Sequence, residues 1–211
     1  WEDVIYKNDV TALGTGRLLE GIRNHCPGAK FYQSSSSEMF GKALVSPQNE
    51  ETPFKPRNPY GSAKLHAYWL TNNYREGFGL FATSGIMYNH ESPRRGIQYV
   101  TRKISNTAVK IKQGITDKLY LGNLDAVRDW GYAPDYVRGM WLMLQQENPD
   151  DFVIGTGVTH SVRDFCQAAF SCLGLNYQDY VLVDQSFYRP CEEVPLVADN
   201  RKAKKVLNWE P

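Results

Sequence analysis

The chain has 211 residues, 24 Lys+Arg against 23 Asp+Glu for a net charge of +1, and 42% hydrophobic residues. That length can bury a sizeable core, and the near-zero charge argues against nucleic-acid binding driven by bulk charge and against an acidic tail. No apolar run approaches the ~20 residues of a membrane span, and Trp1 to Val10 is too charged and mixed for a signal peptide. The four cysteines (Cys26, Cys166, Cys172, Cys191) lack CxxC spacing. They are read as free, mostly buried thiols of a reducing, cytoplasmic compartment, and no metal site is expected.

In chain order, the pattern predicts alternating helix and strand, hence an α/β fold with a mostly parallel sheet. Thr11 to Asn24 carries Leu13, Leu18, Leu19 and Ile22 at helical spacing, and Pro27-Gly28 stops it. A chain that opens on Trp1 and runs into such a connecting helix is expected to lack elements upstream. Ala29 to Ser34 is a predicted strand, running into a loop over Ser35 to Gly41. Three prolines in Thr52 to Pro59 forbid regular structure there. A helix over Tyr60 to Phe78 ends at Gly79, and the apolar Leu80 to Tyr88 suits a buried parallel strand.

Asn89 to Gly96 is a predicted polar loop, followed by a helix over about Tyr99 to Lys112. Short strands are predicted at Leu119 to Leu121 and Val127 to Trp130. Pro134 opens a helix reaching Gln146, with Val137, Met140, Trp141 and Leu144 as its apolar stripe. Phe152 to Ile154 is a further strand. Ser161 and Asp164 form a candidate capping box for a helix ending near Leu173.

Two features carry chemistry. Tyr60 and Lys64 lie four apart at the start of a helix, so both side chains share a face. A phenol near pKa ~10 is a poor base at neutral pH, and a fixed ammonium nearby favours its phenolate. Glu38 lies two residues after Ser36, at the carboxyl end of a predicted parallel strand, where open α/β sheets bind ligands. A carboxylate there suits removal of a proton from a carbon acid beside a ketone. Taken singly, these residues also fit a core tyrosine, a solvated lysine and a surface glutamate.

The order strand, Ser35-Ser36-Ser37-Glu38, proline-rich loop, then PYGSAKLHAYW resembles the extended short-chain dehydrogenase/reductase family. Further on, NHESPRRG, VTRKI, LGNLDAVRDWG and FYRPCE resemble the GDP-mannose 4,6-dehydratases, and the likeness runs from Trp1 to Pro211. The resemblance implies a Rossmann-like doubly wound parallel sheet with its N-terminal strands missing, plus a smaller α/β substrate-binding domain. Residues 1–90 and 124–157 would form the remainder of the NADP-binding domain, and residues 91–123 and 158–211 the nucleotide-sugar domain.

It further implies a catalytic group of Ser36, Glu38, Tyr60 and Lys64. Contacts to NADP would come from Tyr60, Lys64, His90 and Arg95. Contacts to a GDP-sugar would come from Asn89, Val100, Lys103, Arg128, Arg189 and Glu192. The implied reaction is dehydration of GDP-mannose by a homodimer or homotetramer. A related GDP-sugar such as a GDP-manno-heptose, a same-fold 4-keto reductase or epimerase, and a non-catalytic fragment stand as alternatives.

Departures from the family pattern bear on sugar specificity. Ser36 stands where threonine is common and loses the methyl that fixes its rotamer. Val127 replaces a frequent lysine, and Cys191-Glu192-Glu193-Val194 differs from the usual threonine-glutamate-valine. The glycine-rich turn that cradles a cofactor pyrophosphate is absent from this stretch.

Overall fold

The computed structural model describes residues 3–188 and 195–211. It opens on one unbroken helical run: α1 (Val4–Lys7), a π-helical stretch (Asn8–Leu13) and α2 (Gly14–His25). This run is longer than the predicted helix, and its buried stripe is Ala12, Thr15 and Leu19, while Leu13 and Leu18 face outward. The packing partner is α3 (Pro59–Phe78).

Helix α3 is well specified at both ends. Asn58 caps it, Pro59 occupies its first turn, and Gly79 terminates it with φ +67°, a left-handed conformation that favours glycine. Its buried face begins with Gly61, Ala63 and Ala67, residues small enough to let the helix press close to the sheet. Near its other end Arg75 donates to Asp151 at 2.9 Å through both terminal nitrogens and to the Ala82 carbonyl at 3.0 Å. A bidentate, partly buried pair of this kind pins the helix to two strands at once.

Those strands belong to a parallel sheet of order β1 (Phe31–Ser36), β2 (Ala82–Met87) and β6 (Asp151–Ile154). Every residue of β2 and β6 is buried, as expected of strands covered on both faces. The register pairs Ser36 with Met87 and Met87 with Ile154, so the three carboxyl ends lie level. A second three-stranded sheet joins β3 (Asn89–Glu91) in parallel to β5 (Val127–Tyr132), and β5 antiparallel to β7 (Thr159–Ser161). A further pair of strands, β4 (Leu119–Leu121) and β8 (Val181–Val183), is parallel. The remaining helices are α4 (Val100–Lys112), α5 (Ala133–Gln145), α6 (Val162–Ser171) and α7 (Arg201–Leu207).

Among the described residues two hydrophobic cores result. One lies around the first sheet, with Ile86, Phe152, Ile154, Tyr136 and Trp209. The other joins α4 and α6 to β4 and β8 through Ile104, Leu119, Val162 and Phe170. The C-terminal stretch with Ala198, Ala203, Leu207 and Trp209 packs into the first core. Two expectations need correction.

The buried face of α5 is Tyr136, Gly139 and Met143, with Val137 and Trp141 exposed. The reason is Trp209: its indole lies against Gly139 and donates to the Asp135 carbonyl at 2.7 Å, a contact that helical periodicity cannot anticipate. Finally, Cys26 and Cys172 are exposed free thiols and only Cys166 is buried, where burial pushes its pKa up to about 11; Cys191 lies outside the described residues.

Asp129 on β5 knots the two sheets together. Its carboxylate is 2% exposed and accepts four hydrogen bonds. The donors are Thr156 N at 2.9 Å and Thr156 Oγ1 at 2.6 Å, Gly157 N at 2.9 Å and Ala198 N at 3.0 Å. Removing the side chain would strand three backbone donors, of which Ala198 N is buried and Thr156 N and Gly157 N partly so, a buried one costing about 1–3 kcal/mol. Asp129→Ala is therefore expected to destabilise the protein by roughly 3 kcal/mol or more in urea unfolding. A loss below about 1 kcal/mol would show the knot to be dispensable.

Candidate active site

The level carboxyl ends of β1, β2 and β6 open on the site. After β1 the chain makes a single 3₁₀ turn, Ser37–Met39, whose start is capped by Ser36: its hydroxyl accepts from Glu38 N at 3.2 Å. That turn is docked onto the proline-rich loop, with Lys55 N donating to Met39 O at 3.0 Å and Lys42 N to Lys55 O at 3.0 Å. Gly41 makes the second contact possible. Its φ is +53°, and a Cβ there would lie 2.0 Å from the Lys55 carbonyl oxygen.

The structure brings Ser36, Glu38 and Tyr60 together, with Tyr60 in the first turn of α3. Burial raises the Tyr60 phenol above its ordinary value, a hydrogen bond with Ser36 lowers it, and the Glu38 carboxylate raises it again. Tyr60 remains 40% exposed, so this is a crowded open cleft rather than a sealed cavity. Lys64 has its Nζ 5.6 Å from the Tyr60 ring centroid, but donates to the Ser34 carbonyl at 2.7 Å. Burial lowers the Lys64 ammonium itself. The group that lowers the Tyr60 phenol most is Ser36.

Two adjoining cavities extend from this point. One, of about 250 Å³, is lined by Ser37, Glu38, Arg57, Asn89 and Arg128, among others. The other, of about 320 Å³, is lined by Arg95, Tyr99, Val100, Lys103, Arg128 and Phe187, among others. Asn89, Asn123, Ala126 and Arg128 line both, so they form one groove, with Glu38 and Arg57 in the smaller part and Glu91, Arg95 and Lys103 in the larger. Lys103 donates to the Tyr120 carbonyl at 2.7 Å and lies 4.1 Å from the Phe187 ring centroid; burial lowers its ammonium. Arg128 donates to the Val127 carbonyl at 2.7 Å while its side chain lines the shared stretch.

Of the remaining expected ligands, Arg95 lies 3.8 Å over the Tyr99 ring and pairs with Glu91 at 3.3 Å. His90 lines neither cavity: its Nδ1 is 2.8 Å from the Tyr88 carbonyl and its ring stacks on Tyr136. Arg189 and Glu192 lie outside the described residues. Two participants escaped the sequence reading. Asn58, whose side chain reaches Glu38, was legible only as an Asn-Pro helix start; Arg57 in the smaller cavity carried no signal at all.

A family model described as GDP-mannose 4,6 dehydratase matches residues 1–211. The chain belongs to that family. It is 54% identical over 210 residues to GDP-mannose 4,6 dehydratase 2 of Arabidopsis thaliana, covering 98% of this chain and 56% of that protein. It is 49% identical over 226 residues to human GDP-mannose 4,6 dehydratase, covering 98% of this chain and 60% of that one. The chain therefore spans well under two thirds of these relatives.

Solved structures share the fold. A dTDP-glucose 4,6-dehydratase of Bacillus anthracis in complex with NAD superposes with a TM-score of 0.84 at 24% identity, covering 97% of this chain and 63% of that one. The RMD protein of Pseudomonas aeruginosa complexed with NADPH gives 0.89 at 20% identity, covering 99% and 70%. The likeness at this level is one of architecture, a Rossmann-like α/β sheet.

Because Ser36 lowers the Tyr60 phenol, Ser36→Ala should raise it. The tyrosinate absorbance assigned by difference from Tyr60→Phe is expected to develop at higher pH in the Ser36→Ala protein. An unchanged or downward-shifted titration would remove Ser36 from this role.

Proposed function

We propose that the full-length protein is a 4,6-dehydratase that converts GDP-mannose to GDP-4-keto-6-deoxymannose with NADP. The observation that carries this reading is Glu38: a carboxylate directly after β1, beside the Tyr60 phenol and lining a groove that Lys103 and Arg128 also line. Dehydration needs a second proton-handling group that simple ketone reduction does not. The family match and the sequence relatives that bear this activity's name support it.

A nicotinamide cofactor fits the donor set, since the Tyr60 hydroxyl and the Lys64 ammonium suit a ribose diol at the carboxyl ends of β1 and β2. Structures with this fold that hold NAD or NADPH agree. Held there by Tyr60 and Lys64, the cofactor would supply reversible hydride acceptance, so that oxidation at C4 and reduction at C6 leave no net redox change. Tyr60 takes the proton of the C4 hydroxyl as the ketone forms, and Ser36 hydrogen-bonds the C4 oxygen. Glu38 then removes the C5 proton, which the new ketone acidifies, and delivers it to the C6 hydroxyl departing as water; the proton taken by Tyr60 goes back to C5 as C6 is reduced, which restores both groups.

Asn89, Val100, Lys103 and Arg128 would hold the GDP end, with Arg189 and Glu192 as further ligands and Arg95 and His90 toward the cofactor. Arginine offers the planar fork that binds a diphosphate in a bidentate way. We further propose a homodimer or homotetramer. Light scattering on the intact protein is expected to give two or four copies, and a monomer would overturn that assignment.

Glu38→Gln in the full-length protein should abolish 4-keto-6-deoxy product while leaving GDP-mannose affinity within a few-fold of wild type. Chromatography of the products and calorimetry of binding check the two halves. Turnover near wild type would remove Glu38 as the base and with it the dehydratase reading.

A further inference from the structure

We infer that Asn58 is a positioning residue that holds the Glu38 carboxylate in register with Tyr60; the inference deepens the proposed function and rests on it. The Asn58 side chain makes two hydrogen bonds with opposite polarity. Its Oδ1 accepts from Gly61 N at 2.7 Å, and its Nδ2 donates to Glu38 Oε2 at 2.7 Å.

The orientation of this amide is fixed by chemistry. A backbone N–H needs an acceptor and a carboxylate needs a donor, so turning the amide over would break both bonds. The side chain that starts α3 is therefore the side chain that aims Glu38. Tyr60 follows two residues later in the same first turn, so one residue links the two proton-handling groups.

A second contact sets the distance between them. A Cβ built at Gly61 would lie 2.6 Å from the Glu38 carbonyl oxygen, so the backbone of the 3₁₀ turn rests directly on the helix start. With the backbone seated there, the carboxylate retains only side-chain torsions, and Asn58 Nδ2 selects among these. The groove lining shows why that matters: Glu38 lines the cavity of about 250 Å³ in which the hexose would lie.

Asn58→Ser separates the two bonds, because serine caps a helix about as well as asparagine but carries no donor that reaches Glu38. In the full-length protein its kcat for GDP-mannose dehydration is expected to fall about tenfold, as for loss of a hydrogen bond to a charged group. KM should stay within about twofold, since the bond acts on the C5 step rather than on binding.

In a single turnover, absorbance of the reduced nicotinamide should rise and persist, because oxidation at C4 continues while proton removal at C5 slows. The melting temperature should match wild type, as the cap is kept. Asn58→Asp also keeps the cap, but sets a carboxylate against Glu38 and should fall below the serine variant.

Wild-type kcat in Asn58→Ser, or equal slowing of oxidation and product formation, would overturn the assignment. So would a fall in kcat accompanied by a matching loss of thermal stability. The wild-type arm separates the two readings. Absence of 4-keto product from wild type overturns the proposed function and this inference together, whereas wild-type turnover with an unaffected serine variant overturns the inference alone.

Discussion

The buried carboxylate of Asp129 is the constraint on which the arrangement of sheets depends. It sits on β5, yet its partners come from the turn after β6 and from Ala198 near the C-terminal helix. An acidic group removed from water is costly unless its lone pairs are filled, and here four donors fill them. The consequence is directional. The end of the first sheet, the start of the second and the return of the chain past residue 195 meet at this one side chain. Arg128, next to Asp129 in β5, is thereby carried to the stretch where the two cavities join.

The site inherits its division of labour from the fold. The first sheet contributes Ser36 and Glu38 from its carboxyl ends, because a parallel strand must be followed by a turn there. The second unit contributes Val100 and Lys103 from the start of α4, which faces the larger cavity. Neither half is a complete site. Asn89, at the start of β3, lies one residue beyond Tyr88, whose amide donates to the Ile154 carbonyl at 2.9 Å, and lines both cavities. The groove is therefore continuous because the chain crosses from one sheet to the other along its floor.

Much of this was legible in the sequence where local chemistry and periodicity agree. The proline at the start of α3, the glycine at its end, the capping box of α6 and the apolar run of β2 each specify their element with little help from the rest of the chain. The pairing of Glu38 with Tyr60 was legible as well, because a turn after a parallel strand and a helix start both point to the same end of a sheet.

What was illegible depends on distant contacts. The exposed Trp141 and Val137 look like core residues until Trp209 takes their place, and α7 is too short and basic to announce itself. The Asn89–Glu91 strand looked like a loop because three polar residues carry no alternation; pairing with β5 makes it a strand. The environment of Lys64 was likewise hidden, since its hydrogen bond to the Ser34 carbonyl is a matter of rotamer and register.

The contact at Gly61 bears on how such a site can change over generations. Most active-site distances are defended by side chains, and each of these can be traded for another of similar size. Here part of the defence is empty space: the 2.6 Å that a Cβ at Gly61 would leave to the Glu38 carbonyl oxygen. Every single-residue replacement at that position adds the same carbon atom, so none offers a gradual route. Drift in the separation of Glu38 and Tyr60 would have to begin elsewhere, in the proline-rich loop that seats the turn, before the glycine itself could be released.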